Sequence, residues 1–121
     1  MASWNDVVEI GRSLPEVEAS TWFGTPGLRV AGQGFCRLRN NPEALVIRVL
    51  DQGDREALML GQPEVFFITP HYKDYPYVLV RLEEIDREQL AELIEDAWRI
   101  RAPKRLAAAF QNEILENRSG E

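Results

Sequence analysis

The sequence predicts a two-layer α+β domain in which helices cover one face of an antiparallel sheet. Short apolar runs separated by glycine, proline and asparagine fill residues 18–50, and such closely spaced runs favour a meander of neighbouring strands. The C-terminal third instead carries apolar residues at helical spacing, which indicates helices that lie on the sheet. With 121 residues, of which 45% are hydrophobic, the chain is expected to form a single domain over residues 1–121.

The first half of the chain should form one helix and then several strands. Ser3 and Asp6 resemble a helix cap, and Trp4 and Val7 begin an apolar stripe that ends before Pro15, so we expect a helix over residues 3–13. Turn residues then separate four extended runs: EASTWF (18–23), LRVAG (28–32), FCRLR (35–39) and ALVIRVL (44–50).

The second half should add one short helix, two strands and two longer helices. The short helix is expected over residues 53–61, with Asp54 near its start and Gly61 at its end. The runs VFFIT (65–69) and YVLVRL (77–82) then flank a loop. Asp86 is the expected N-cap of the next helix, and Pro103 divides the helical region in two. The tail, residues 117–121, is expected to fray.

Charge and composition narrow the class of protein. The net charge of −6 argues against nucleic-acid binding through the overall field of the molecule. The distribution is uneven, however: residues 27–50 carry +3, residues 83–96 carry −6 and residues 97–105 carry +4. The chain lacks an apolar stretch of membrane-spanning length, and it has only one cysteine, Cys36. We therefore expect a cytoplasmic protein that has no disulfide and makes no membrane contact.

Three stretches resemble the MmcQ/YjbR family of small bacterial proteins. They are STWFGTPGLRV (20–30), FFITPHYKDYPYVLVRL (66–82) and DAWRIRAPKRL (96–106). The resemblance implies an α+β layer like that of secretion chaperones, in the order α-β(3)-α-β(2)-α. It also implies the label DNA-binding, which the family usually carries by structural analogy to winged domains. It supplies no catalytic residues.

Strand alternation places a set of arginines on the face of the sheet away from the helices. In FCRLR, Phe35, Arg37 and Arg39 should share one face, while Cys36 and Leu38 face the core. By the same rule the full set on that face is Arg29, Arg37, Arg39, Arg48 and Arg81, with Tyr77 beside them. Such a face suits a phosphate backbone and stacked bases. Alternatively, it is the ordinary polar side of a half-exposed sheet, where arginines pair with carboxylates.

A second basic cluster contains Arg99, Arg101, Lys104 and Arg105. Its position at the end of a helix that begins with acids agrees with the helix dipole, which is a sufficient structural explanation. Lys104 and Arg105 also flank the break at Pro103, so they are candidates for phosphate binding.

The loop FFITPHYKDYPY (66–77) contains the only histidine. A general acid or base, or a nucleophilic triad, is one interpretation of His71, but Cys36 is expected in the core and no metal-ligand spacing is present. The alternative is a rigid connection between Pro70 and Pro76 with tyrosines packed beneath it. Its tip, His71, Tyr72 and Lys73, is then expected to be exposed and to contact a partner. Trp22 and Phe23 similarly form either an aromatic patch or the edge of the core.

These observations lead to two functional hypotheses. The first is a non-enzymatic module that binds DNA through the arginine-bearing face and the corner at Lys104 and Arg105, with no cofactor and no metal. The second is an adaptor that binds a protein or peptide, since the implied fold is used by chaperones and an acidic domain suits protein partners. The sequence leaves the oligomeric state open.

Overall fold

The computed structural model describes residues 1–22, 24–40 and 42–119, and a six-stranded sheet lies at its centre. The strands are β1 (Val17–Trp22), β2 (Thr25–Val30), β3 (Gln33–Arg39), β4 (Ala44–Arg48), β5 (Phe66–Phe67) and β6 (Tyr77–Val80). Their order across the sheet is β1-β2-β3-β4-β6-β5, and every neighbouring pair is antiparallel. The first four strands form the meander that the turn residues predicted.

Four helices in the described part of the chain cover one face of the sheet. They are α1 (Trp4–Arg12), α2 (Gln52–Gly61), α3 (Arg87–Arg101) and α4 (Lys104–Ser119), and two 3-10 helices span Pro70–Tyr72 and Leu82–Glu84. Trp98 of α3 is fully buried, and its indole Nε1 donates a hydrogen bond to the Pro15 carbonyl at 3.0 Å. Its ring meets the Phe110 ring of α4 edge-on, with centroids 5.0 Å apart. The helices and the sheet thus share one apolar core.

Helix starts follow the signals in the sequence. The Ser3 hydroxyl accepts a hydrogen bond from the Asp6 N–H at 3.4 Å, and the Asp6 carboxylate accepts one from the Ser3 N–H at 2.9 Å. The Asp86 carboxylate likewise accepts from the Gln89 N–H at 2.8 Å. Asp51 caps α2 in the same way. Each cap satisfies a backbone donor that a helix leaves unpaired, which contributes about 1 kcal/mol.

The sheet face opposite the helices, named here the open face, carries a second and smaller apolar cluster. Ala44, Val46 and Leu79 form its floor, and Tyr72 packs on it. Phe67 and Tyr77 lie at its edge and are partly buried. Tyr77 therefore takes the face that alternation predicted, and the 3-10 helix Pro70–Tyr72 covers part of that face.

One expectation about β3 is wrong. Leu28 pairs with Cys36 but the next residue, Arg29, pairs with Gly34, so Phe35 is an extra residue in a β-bulge. Phe35 and Cys36 both belong to the core between sheet and helices, and Phe35 is fully buried. Phe35 therefore does not share the open face with Arg37, because the bulge shifts the alternation by one residue.

The predicted fold class is confirmed, with adjustments to individual elements. Four strands precede α2, where the family resemblance implied three, and two helices end the described chain. β5 is shorter than the predicted run 65–69. Residues 120–121 of the tail that we expected to fray lie outside the described residues. Phe23 and the side chain of Trp22, which we expected in an aromatic patch or at the core edge, also lie outside them. None of the helices in the described ranges has the length and apolar character needed to cross a bilayer.

Candidate functional site

The open face carries the five arginines that alternation assigned to it. They are Arg29 in β2, Arg37 and Arg39 in β3, Arg48 in β4 and Arg81 directly after β6. Directly opposite residues of paired strands share a face. Arg37 pairs with Val46 and Arg39 with Ala44, both members of the open-face cluster. All five residues are half-buried.

The loop between β5 and β6 lies beside these arginines. Tyr72 is only 8% exposed, and its hydroxyl accepts a hydrogen bond from Arg37 Nη2 at 2.5 Å. His71 is exposed, and its ring meets the Tyr72 ring edge-on with centroids 4.8 Å apart. The expectation of an exposed tip is therefore wrong for Tyr72, because its ring packs onto the open-face cluster. His71 and Lys73 are exposed, as expected.

Arg55 of α2 fixes this loop, although the sequence pattern did not indicate it. Its side chain is buried at 3% exposure. Nη1 donates hydrogen bonds to the carbonyl oxygens of Tyr72 at 2.8 Å and Tyr75 at 2.7 Å, and Nη2 donates to that of Lys73 at 3.0 Å. A buried charge requires such partners. The signal in the sequence was weak: Arg55 stands three residues before Leu58 and so shares its side of the helix.

A polar cavity of about 360 Å³ lies between β3 and the loop. Its walls are formed by Thr25, Arg37, Arg39, Asn40, Thr69, His71 and Tyr72. It therefore brings together two groups that lie far apart in the sequence, the strand arginines and the histidine loop. None of these described lining residues carries a carboxylate, so the cavity wall is basic.

The polar groups of the cavity are held to different degrees. Besides its bond to Tyr72, Arg37 donates from Nη1 to Thr25 Oγ1 at 3.4 Å. Arg39 donates from Nε and Nη2 to the Asn40 carbonyl, both at 3.4 Å, which is long for a hydrogen bond. Thr69 Oγ1 is shielded from solvent and has no hydrogen-bond partner among the described residues. Arg37 is thus firmly oriented, whereas the described bonds of Arg39 are weak.

The remaining arginines of the open face lie outside the cavity wall. Arg48 Nε donates to the Val49 carbonyl at 3.0 Å. Arg81 Nη1 donates to the Pro63 carbonyl at 3.2 Å, and its guanidinium stands over the Phe67 ring, 4.2 Å from the centroid. Arg29 lies directly opposite Glu18 of β1. The open face therefore combines one concave basic site with arginines that also stabilise strand ends and edges.

The strands, loop and helix that build this face also carry a family signature. The sequence profile of YjbR matches residues 12–100. This chain belongs to the YjbR family. The uncharacterized proteins Mb2600 of Mycobacterium bovis and Rv2570 of Mycobacterium tuberculosis are each 37% identical to it in an alignment of 124 residues, which covers 91% of this chain and 96% of those proteins.

A solved structure shares the fold of this YjbR protein. The crystal structure of Deinococcus radiodurans protein DR2400, of domain family DUF419, superposes with a TM-score of 0.70 and 20% identity. The superposition covers 83% of this chain and 78% of that one. At this identity the likeness establishes the fold alone, and it agrees with the layer arrangement implied by the three family stretches.

The basic corner of this YjbR protein lies in the helical layer. Lys104 and Arg105 are exposed at the start of α4, whose Leu106 packs into the core between sheet and helices. Arg101 precedes them and donates to the Gly34 carbonyl at 3.2 Å, next to the β2–β3 turn. The structure therefore places the corner on the other side of the sheet from the arginines and does not join the two into one surface.

A second concavity, of about 610 Å³, lies between α2 and α3. Most of its wall is apolar: Val49, Leu50, Ala57, Leu58, Leu93 and Ile100. Two acidic side chains, Asp54 and Asp96, and two basic ones, Arg48 and Arg99, also line it. Partial burial raises the pKa of the Asp96 carboxyl; nearby carboxylates, above all Glu95, add to the rise, and Arg99 opposes it. The groove is thus mainly apolar, and charged side chains of both signs line part of it.

The thiol and the imidazole lie on opposite sides of the sheet. Cys36 faces the helices and is 1% exposed, and burial raises the pKa of its thiol far above the ordinary range. His71 lies on the open face, so the two cannot form a nucleophile and base pair. Within the described ranges, histidine, cysteine and acidic side chains form no group of three that could hold a metal ion.

Proposed function

We propose that this YjbR protein is a non-enzymatic module that binds DNA through phosphate contacts from the open face. The supporting observation is the placement of five arginines on one side of the sheet, while the acidic segment 83–96 belongs mainly to α3 on the other side. The planar guanidinium group matches phosphate oxygens in geometry and charge. A locally basic face is therefore compatible with a net charge of −6.

Exposed rings beside the cavity favour single-stranded over duplex DNA. Tyr75 is 56% exposed, and its ring centroid lies 6.4 Å from that of the exposed His71. Unpaired bases stack on such rings with little dependence on sequence, whereas paired bases in a duplex are inaccessible to them. Tyr72 has a different role, because its buried ring supports the loop and orients Arg37.

Fluorescence anisotropy with labelled single-stranded and duplex DNA at low salt is the direct test. The wild-type chain is expected to bind, and its affinity should fall steeply as salt rises, because phosphate contacts release counterions. The Arg37→Glu/Arg39→Glu double variant should bind more weakly by about tenfold or more. Failure of the wild-type chain to bind either DNA at low salt would refute the proposal.

Two single variants distinguish the open face from the basic corner. Arg39→Glu should weaken binding, whereas Arg105→Glu, an equal change of charge in the helical layer, should alter the affinity by about twofold at most. Thermal melting of each variant verifies that the domain remains folded. Loss of binding in Arg105→Glu alone would move the interface to the corner at Lys104 and Arg105.

The groove between α2 and α3 favours a second candidate function, an adaptor that binds a protein segment. Its volume lies in the range of known ligand sites, and Leu50 on its wall is 61% exposed. Asp54 and Asp96 can pair with a basic group of the partner, and Arg48 and Arg99 with an acidic one. A peptide with apolar side chains and charged ones at its edge therefore suits this groove.

Two exposed leucines provide a matched test of the adaptor. Leu50 lines the groove, whereas Leu60, which is 87% exposed, lies on α2 outside the groove wall. The wild-type chain and the Leu60→Asp variant should capture the same protein from a lysate, and Leu50→Asp should lose it. Equal capture by all three chains, measured by mass spectrometry, would count against the groove as a binding site.

A further inference from the structure

We infer that the cavity formed by Thr25, Arg37, Arg39, Thr69 and His71 is a site for a terminal phosphate monoester, such as the 5′-phosphate of a single DNA strand. The inference rests on the proposed function, because it names the part of the nucleic acid that the open face holds. In this site a discrete pocket, and not only a basic surface, binds one chemical group.

The charge of the cavity fits a dianion better than a phosphate within the chain. Two guanidinium groups, those of Arg37 and Arg39, are permanently positive, and the imidazole of His71 stands beside them. A phosphate monoester carries about −1.5 to −2 near neutral pH, whereas each internal phosphodiester carries a single negative charge. With no carboxylate among the described lining residues, the more highly charged end group gains more from this site.

The donors are arranged for an anion that enters from solvent. Tyr72 orients the Arg37 guanidinium through a hydrogen bond of 2.5 Å, so this side chain loses little conformational freedom when an anion binds there. The described bonds from Arg39 to the Asn40 carbonyl are long, at 3.4 Å, and a phosphate oxygen can accept stronger, charge-assisted bonds from the same guanidinium. The Thr69 hydroxyl, without a described partner, can donate to the same anion after rotation about χ1.

The size of the cavity limits what can enter. A volume of about 360 Å³ is at the small end of ligand sites and admits a phosphate with part of its sugar, but not a duplex. His71 lies on the cavity wall and Tyr75 beside it, so the first base of the strand can stack there while the phosphate is bound. The pocket and the rings together suit the binding of the 5′ end of a strand.

The test compares two single-stranded oligonucleotides of identical sequence, one with a 5′-phosphate and one with a 5′-hydroxyl, by anisotropy with the full chain. The phosphorylated strand is expected to bind more tightly by about tenfold. Arg39→Gln should abolish this preference, while Arg81→Gln, on the same face but outside the cavity wall, should retain it. Equal affinity for the two strands, or an unchanged preference in Arg39→Gln, would overturn the inference and leave the proposed function standing.

Titration with a nucleoside 5′-monophosphate tests the phosphate site independently of DNA binding. If neither strand binds, the proposed function fails, and the monophosphate is titrated alone with the free nucleoside as control. Amide chemical-shift changes at Arg39 and His71 with the monophosphate, and not with the nucleoside, would uphold the phosphate site. Absence of such changes would overturn the inference as well.

Discussion

Arg55 is a buried cation whose described partners are backbone carbonyl oxygens of residues 72–77. Burying a charge costs several kcal/mol unless hydrogen bonds replace its hydration, and hydrogen bonds to charged groups each contribute about 1.5–3 kcal/mol. The contacts of Nη1 and Nη2 therefore offset much of the burial, although the buried Nε has no described partner, and they tie the loop to α2. Because the loop carries Tyr72, which orients Arg37, Arg55 acts on the cavity without touching it.

Arg55→Met is expected to lower the free energy of unfolding by about 2–4 kcal/mol, because buried carbonyl groups lose their donors. Urea denaturation measures this loss. Arg12→Met in α1 is the matched control, since Arg12 is exposed, and it should change stability by less than about 0.5 kcal/mol. A similar small change in both variants would mean that the loop does not depend on Arg55.

The Cys36 thiol should be unreactive in the folded protein. The thiolate is the reactive species, and burial raises the pKa of this thiol, so that it stays protonated as well as inaccessible. Modification by an aromatic disulfide reagent should be slow under native conditions and fast in denaturant, with one thiol reacting per chain. Comparable rates in the two conditions would contradict the burial of Cys36.

Residue placement was predictable where it depended on strand alternation. The period of two was sufficient to assign Arg37, Arg39 and Tyr77 to the open face. It gave no information about Arg55 or about the burial of Tyr72, because their partners lie 17 to 35 residues away in the chain. Contacts across such separations depend on how the elements pack. The local sequence pattern carries no information about that packing.

At the scale of elements, local signals were sufficient for helices and turns but not for strand pairing. The caps at Ser3 and Asp86 and the break at Pro103 mark helix ends through interactions within a few residues. The bulge at Phe35 and the position of β6 beside β4 arise from pairing between strands. The cavity also depends on this pairing, because it forms only where the loop after β5 folds back over β3.

Close packing of α1 on the sheet leads to a prediction about Gly11. A Cβ atom at this position would lie 2.4 Å from Cδ1 of Leu28, which is fully buried and has little room to move. The resulting displacement should cost more than the gain of about 1 kcal/mol in helix propensity. We therefore expect Gly11→Ala to lower the free energy of unfolding by about 1–2 kcal/mol in urea denaturation.

Gly61 provides the control for this effect. It ends α2, and a Cβ there would meet nothing within 4 Å. Gly61→Ala should therefore be neutral or stabilising by up to about 1 kcal/mol, because only the propensity changes. If both substitutions stabilised the protein, the close approach of α1 to β2 would be in doubt.

For the whole molecule, the described charged side chains have different partners on the two sides of the sheet. The described ion pairs that involve helices lie in the helical layer, where Arg87 binds Asp6 and Glu9, and Arg99 binds Glu95. On the open face, Arg37 binds a hydroxyl and Arg81 binds a carbonyl and a ring, while Arg29 lies opposite Glu18. A ligand on the open face is closest to the arginines. The net charge of −6 therefore does not describe the local electrostatic field at that face.

This separation predicts that equal charge changes in the two layers affect DNA binding unequally. Glu92 is exposed on α3, so a helix about 10 Å in diameter and the sheet lie between its carboxylate and the open face. The Debye length at physiological ionic strength is about 8 Å, which screens charges across that distance. Arg39→Gln should lower the affinity for single-stranded DNA and reduce the slope of log K against log salt by about 0.7, the value for one phosphate contact.

Glu92→Gln raises the net charge by one unit, whereas Arg39→Gln lowers it by one unit. If the open face determines binding, Glu92→Gln should leave the salt slope unchanged and shift the affinity by less than about twofold at physiological salt. If the overall charge determined it, the two substitutions would change the affinity by similar factors in opposite directions. Anisotropy titrations of both variants over a range of salt concentrations distinguish these outcomes, because only a direct phosphate contact changes the slope.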